Sequence, residues 1–478
     1  MKSIYKKYCL GLFAAVAVGF TSCKDFLDVN TNPTLKGDVT IQELLPTAEF
    51  YTSEASYNQA YITCQYSQQI GSNTAPGGLD SQEETENSTG WTNFYLNVLP
   101  QLNLVITKAQ TEAAPAYVGV AKVLLAYNLG IATTNWENIP FSQADQKNFA
   151  PTYDSQQSVY TNIQKLLDEA IVELQKNTGT KPSTDDIVYN GDLTKWTKLA
   201  YTLKARFAMH LSVKNPTQAA QNALLALQNG FKSNDDDFQL TYNSKNLGPW
   251  YSRVALANTT GNLSITHSAT LIDLMNGKSN GVIDPRLGKI ATLRRNQITY
   301  SGVSPGTGGG SSVDLTKDSW HSGLNSPLQF VTYAEAKAIE AEARFIINGG
   351  TITSKGTTTE GYNAYIEMIR SNMKKIGVSD SDISKYFTNT SIQIGATELT
   401  MSHILAEKLK AMFLIGDIWT DIRRYQYAII PAPANLNVDL QGLRIQRMIY
   451  PASETSRNSA NAKLNTKLFN EPMWMFSK

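Results

Sequence analysis

Four histidines, His210, His267, His321 and His403, are the side chains in this sequence best suited to acid–base work or metal ligation near neutral pH. His403 and Glu407 share a helix face at four residues' spacing. Two groups are too few for a tetrahedral metal site, and no His-Glu-x-x-His run occurs. The two therefore read as a pair on a helix surface. Asp235-Asp236-Asp237 offers carboxylates to calcium, but the glycine and glutamate that complete an EF-hand loop are missing, so a solvated turn is expected. The run Gly306 to Ser312, GTGGGSS, lacks the Lys-Ser/Thr ending of a phosphate loop and reads as flexible. No Gly-x-Ser-x-Gly elbow is found. Glu335, Glu340 and Glu342 cluster in YAEAKAIEAEAR, but they lie among alanines beside Lys337 and Arg344, the composition of a salt-bridged helix face. Nothing here compels an enzyme, and no catalytic residue or metal is assigned.

Recognition without chemistry needs flat apolar faces and fixed hydrogen-bonding groups, which aromatic side chains supply at low entropic cost. With 7 Trp and 23 Tyr in the chain, position has to discriminate. Trp196 and Trp419 fall on helical stripes, and Trp91 opens a helix, so all three read as core. Others lie off such stripes: Trp250 and Tyr251 in NLGPWYSR with Arg253, Tyr300 ahead of the glycine run, and Trp320 in KDSWHSGLNSP with Asp318 and Asn325. These form the expected ligand-binding set, with Trp250, Tyr251, Tyr300 and Trp320 as stacking faces and Arg253, Asp318 and Asn325 as polar contacts. The pairs Arg423/Arg424 and Arg444/Arg447 are expected to form internal salt bridges.

The elements that must position these loops are helices. Tyr160, Ile163, Leu166, Leu167, Ala170, Ile171 and Leu174 recur at steps of three and four, with Asp154 and Gln157 as a capping box. Trp196, Leu199, Leu203, Phe207 and Leu211 repeat the pattern after an Asn190-Gly191 turn. Further helices are expected over about 41–70, 91–111, 116–133, 216–229, 332–348, 361–376 and 397–415, several stopped by Gly230, Gly349, Gly377 and Gly416. Short connections favour antiparallel neighbours. The fold class is thus mainly α, stacked helical hairpins with a loop-rich part carrying short strands packed on them.

The first residues place Lys2, Lys6 and Lys7 before an apolar run, Tyr8 to Phe20, that is too short to cross a bilayer and fits a secretion signal. It ends in Phe20-Thr21-Ser22-Cys23, which resembles a bacterial lipobox. Cys23 is therefore the expected lipidation site and first mature residue, with no cofactor beyond that covalent lipid. Cys9 leaves with the signal, and Cys64 reads as a small buried apolar residue. No later segment approaches 18 consecutive apolar residues. Forty-two basic against 41 acidic residues give a net charge of +1, which argues against a nucleic-acid binder.

Several stretches in order resemble the SusD/RagB family of outer-membrane nutrient-binding lipoproteins: CKDFLDVNTNP (23–33), LAYNLGIATTNWENIPFSQA (125–144), TKWTKLAYTLKARFAMHLS (194–212), IDPRL (283–287), YAEAKAIEAEA (333–343), ILAEKLKAMFLIGDIWTDIRRYQY (404–427) and LRIQRMIYPASETSRNSAN (443–461). Thr134, Glu137 and Asn138 depart from the family's usual Asp, Gly and Asp, Gln446 replaces a proline, and EPMWMF (471–476) stands where Trp-Trp-Asp is common. The resemblance implies a tetratricopeptide-like scaffold, an oligosaccharide or peptide ligand, a lipid anchor in the outer membrane facing the exterior, and a SusC-like TonB-dependent transporter barrel as partner. The expected organisation is a signal peptide over 1–22, a lipidated tether over 23–40, a helical-hairpin scaffold over 41–230, a ligand-facing loop-rich insertion over 231–331, further scaffold helices over 332–425 and an irregular segment over 426–478 packed on the scaffold.

Overall fold

Apolar stripes at helical spacing become the framework of the molecule. A computed structural model describes residues 39–145, 148–262 and 264–477; the signal, Cys23 and the tether up to residue 38 lie outside them. Ten helices carry the scaffold: α1 Ile41–Tyr66, α2 Leu99–Thr111, α3 Pro115–Trp136, α4 Gln156–Gln175, α5 Leu193–His210, α6 Pro216–Leu227, α7 Tyr333–Ile347, α8 Thr359–Lys375, α9 Met401–Ala411 and α10 Ile418–Arg424. From α1 to α8 each helix packs against the next in sequence, and α9 closes on α7 and α8. Burying a large apolar side chain contributes about 1.5–3 kcal/mol, and α4 alone buries Val159, Tyr160, Ile163, Leu167, Ile171 and Leu174. Helix α3 is long and apolar enough to cross a membrane by length and composition, yet 89% of that stretch is buried inside the body.

Local signals set the helix ends, with corrections. The α4 cap is Ser155, whose hydroxyl accepts from Ser158 N at 3.2 Å. The expected cap, Asp154, instead accepts from Phe141 N at 3.0 Å and Ser142 N at 2.8 Å, tying down the preceding loop. Asn190 and Gly191 turn with φ of 52° and 81°, and Asp192 then caps α5. Gly349 and Gly377 take positive φ after their helices, as a C-terminal stop requires. Gly416 serves a different purpose: a β-carbon there would lie 2.8 Å from Thr63 Oγ1, and Thr63 donates to Gly416 O at 2.9 Å.

Several acids expected at the surface are inside, because α7 is covered by α6, α8 and α9. Glu340 does face outward with Lys337 and Arg344, at 2.8 and 2.9 Å. Glu335 is buried against Arg206 at 2.5 Å, and Glu342 against Arg424. Glu407 pairs with Arg286 at 2.6 Å and Lys410 at 2.5 Å rather than with His403. In the Asp235–Asp237 turn only Asp235 is exposed. Asp236 holds Lys198 at 2.8 Å and Asp237 holds Lys375 at 2.7 Å. Buried charges persist when paired in this way.

Among the described residues the region 231–331 supplies strands to three two-stranded antiparallel pairs: β3 Ile265–His267 with β1 Ile70–Ser72, β2 Phe238–Leu240 with β6 Leu328–Val331, and β4 Thr292–Leu293 with β5 Val313–Asp314. The glycine run is held rather than free. Gly306 N donates to buried Asp80 at 3.0 Å, and a β-carbon on Gly308 would meet Ala75 N at 2.3 Å. The last segment, 426–478, contains two short helices, Ala452–Arg457 and Ser459–Asn465, and returns to the end of α3. There Glu137, φ 71°, accepts from Arg447 and Lys467 and from Trp474 N. Burial raises the Glu137 carboxyl, but these cations and the amide outweigh it and hold it below its ordinary value. Of the four arginines read as internal salt bridges, Arg424 and Arg447 are. Arg423 lies over the Trp419 ring at 3.5 Å, pushed down to about 9 by burial, and Arg444 lies over Tyr427 at 4.1 Å.

Candidate ligand-binding face

Two loops of the 231–331 region converge at the surface. The first leaves β2 and enters a π-helical turn over Tyr251–Ala255. It is fastened to α1 by its aromatics: Tyr242 donates to Ser53 Oγ at 2.9 Å, and Trp250 meets Tyr57 edge-on at 4.9 Å and stacks with Tyr61 at 6.5 Å. Arg253 lies over Tyr57 at 4.9 Å and pairs with Glu54 at 2.7 Å. The second loop, 316–327, is knotted by its own hydroxyls. Thr316 Oγ1 accepts from Asp318 N at 3.1 Å, and Ser326 Oγ donates to Trp320 O. Trp320 N donates to Lys289 O at 2.8 Å, fixing the loop to the short helix Leu287–Ile290.

Beneath the second loop runs an aromatic stack. Trp320 meets His321 edge-on at 4.7 Å, His321 meets Phe413 edge-on at 5.0 Å, and Phe413 stacks on His267 at 5.4 Å. Burial pushes both imidazoles down, His267 to about 4 and His321 to about 3, so both are neutral at pH 7. Tyr300 approaches from a third loop. Its carbonyl accepts from Asn276 at 3.1 Å, and its hydroxyl lies 3.6 Å from where a β-carbon on Gly288 would stand.

The seven residues expected from sequence thus fall into distinct groups. Tyr251, Tyr300 and Trp320 are half-buried and present part of a ring, while Asp318 and Asn325 are exposed. Arg253 is also exposed, but its charge is matched by Glu54. Trp250 departs from the expectation. It is only 3% exposed, and its ring faces are taken up by α1, so it cannot stack on a ligand in this conformation. Trp250 and Tyr251 do meet the 320–327 loop, around a small cavity that also reaches His321 and Ser326. His321, adjacent to Trp320 in sequence, lies outside the expected set yet lines this cavity. Among the described residues no group of three or more His, Cys, Asp or Glu side chains is arranged to hold a metal. A second concavity of about 570 Å³ lies on the scaffold between α4, α5 and α6, lined by Tyr201, Lys204, Leu211, Lys214, Asn222 and Leu225 among others; no single segment of sequence announces it.

Comparison with known proteins agrees with this architecture. A family model described as SusD-like, starch-binding and associating with the outer membrane, matches residues 34–451. A SusD homolog from Bacteroides uniformis superposes with a TM-score of 0.74 at 19% identity, covering 91% of this chain and 99% of its own. A SusD/RagB family protein from Bacteroides thetaiotaomicron gives 0.72 at 21%, covering 92% and 99%. A chitin-binding SusD homolog from Flavobacterium johnsoniae gives 0.71 at 20%, covering 91% and 98%. At these identities the likeness speaks for the fold. No curated protein matches the sequence.

Proposed function

The chain belongs to the SusD-like family of starch-binding proteins that associate with the outer membrane, and from that premise we propose that it is a surface lipoprotein that captures oligosaccharides and passes them to a TonB-dependent transporter barrel. The observation that carries this reading is the family match across residues 34–451. The loop face supports it: half-buried Tyr251, Tyr300 and Trp320 beside exposed Asp318 and Asn325 suit a neutral, hydroxyl-rich ligand. One structurally similar protein is described as chitin-binding, which adds β-linked amino sugars to starch as a ligand class to test. Capture of this kind needs no bond making. It needs a rigid body, supplied by the helices, and an anchor, supplied in this reading by a lipid on Cys23. Single acyl chains bind membranes marginally and two or more bind stably, so a multiply acylated Cys23 would hold the body at the outer membrane.

The test is calorimetric titration of the purified chain with maltoheptaose and with chitohexaose. Saturable binding of one of them, weakened by Trp320→Ala in a folded protein, is expected. Silence with both, and binding of short peptides instead, would overturn the saccharide reading. Cys23→Ala expressed in cells should leave the membrane fraction, and co-purification of the wild-type chain with a barrel protein tests the partner.

A further inference from the structure

The cavity between the two converging loops is small, about 10 Å³, which is room for one oxygen-sized group and no more. Trp250 and His321 both line it, and both are buried, 3% and 6% exposed. Each ring carries a nitrogen shielded from solvent without a hydrogen-bond partner in the protein, Trp250 Nε1 and His321 Nδ1. Leaving a buried polar atom unmatched costs about 1–3 kcal/mol. Other buried indoles are matched: Trp196 Nε1 donates to Asp186 at 2.7 Å and Trp419 Nε1 to the Tyr427 hydroxyl at 2.9 Å. The cavity's other walls include half-buried Tyr251, Gly323 and Ser326, so it lies just under the face described above.

The donors and acceptors narrow what fits. An indole N–H only donates, so the occupant must present an acceptor, which excludes ammonium and guanidinium groups. A neutral imidazole nitrogen donates or accepts according to its tautomer. An oxygen that can do both, a hydroxyl, satisfies the pair whichever tautomer is present. We propose that Trp250 and His321 form a buried seat for a single hydroxyl oxygen, held by water in the free protein and taken over by one hydroxyl of a bound saccharide. Trp250 thereby keeps a role in recognition that its buried faces deny it in stacking: it acts through its edge. The proposal rests on the saccharide reading given above.

The experiment follows the Trp250 indole N–H in ¹H–¹⁵N correlation spectra of the wild-type chain, assigned by its disappearance in Trp250→Phe. Saturation with maltoheptaose or chitohexaose, whichever binds in calorimetry, should shift that resonance. It should also shift in Trp320→Ala and in His321→Phe at a higher saccharide concentration. Both Trp250→Phe and His321→Phe retain a ring for packing and should weaken binding about 3- to 10-fold, the worth of one neutral hydrogen bond. Unchanged thermal melting separates this loss from misfolding. A saccharide that binds while the resonance stays fixed and both variants bind normally would overturn the seat but not the saccharide reading, and would leave an ordered water only. No binding of either saccharide to the wild type would remove both.

Discussion

His267 and Asp314 are buried near Arg294 and respond to acid in opposite senses. Burial, with the Arg294 charge, lowers His267 to about 4 against an ordinary 6.5. The unfolded chain therefore binds that proton first, and stability present above pH 6.5 is lost as pH falls toward 4. Burial raises Asp314 to about 6 against an ordinary 3.8, with Arg294, Leu315 N and Asn258 opposing it. There the native state binds the proton first, and a cost present above pH 6 is relieved on acidification. Each group changes the slope of stability by up to about 1.4 kcal/mol per pH unit. Urea unfolding between pH 7 and 4 should show His267→Phe gaining stability relative to wild type as pH falls, and Asp314→Asn losing it; parallel profiles would refute both assignments. Glu137 poses a contest of magnitudes. Its φ of 71° is a conformation costing a non-glycine residue about 1–3 kcal/mol, which Glu137→Gly would relieve. The same change strands buried Arg447, and breaking a buried pair costs about 3–5 kcal/mol. The variant should be less stable by about 2 kcal/mol, and adding Arg447→Met should recover most of that. A gain in stability for Glu137→Gly alone would show that strain prevails.

Between helices, close approach is set by missing side chains. A β-carbon on Gly130 of α3 would lie 2.3 Å from the ring of Phe207 on α5, and Phe207 is buried. Overpacking a filled core costs about 1–3 kcal/mol, so Gly130→Ala should lower the urea midpoint by that equivalent. Phe207→Leu in the same chain should restore part of it, giving a coupling of about 0.5–3 kcal/mol in a double-mutant cycle; purely additive effects would mean the helices simply move apart. The helices themselves are legible because period and turn residues are local: the stripe from Tyr160 to Leu174 and the Asn190-Gly191 turn each stand where the sequence predicts them, while the α4 cap falls one residue later, on Ser155. What failed was local evidence about distant partners. Glu335, Glu342 and Glu407 look like surface acids because Arg206, Arg424 and Arg286 are 129, 82 and 121 residues away. Trp250 fails as a stacking face for the same reason, since the α1 tyrosines that cover it lie nearly two hundred positions earlier in the chain.

As a whole, the body from Ile41 onward must keep its shape if it is to present the loop face, and residues near its C-terminal end contribute to that rigidity. Met473 and Met475 are fully buried. Tyr160 of α4 donates to Met475 Sδ at 3.2 Å and shares a 2.9 Å hydrogen bond with His210 of α5, whose other nitrogen meets Asp417 at 3.1 Å. Gln156 accepts from Met475 N at 3.0 Å, and Lys214 lies over Trp474 at 4.9 Å. The tail therefore closes the α4–α5 junction, and the sequence, in which 426–478 reads as irregular, gives no periodic sign of this. Truncating a buried Met to Ala costs about 2–5 kcal/mol, so Met475→Ala should unfold at correspondingly lower urea with an unchanged m-value. Native-state hydrogen exchange distinguishes the alternatives. If the tail belongs to the cooperative unit, the Met475 amide exchanges only with global unfolding, at the same free energy as amides in the middle of α4. Exchange by local fraying, several kcal/mol easier than α4, would show that residues 471–477 are laid on the scaffold without holding it.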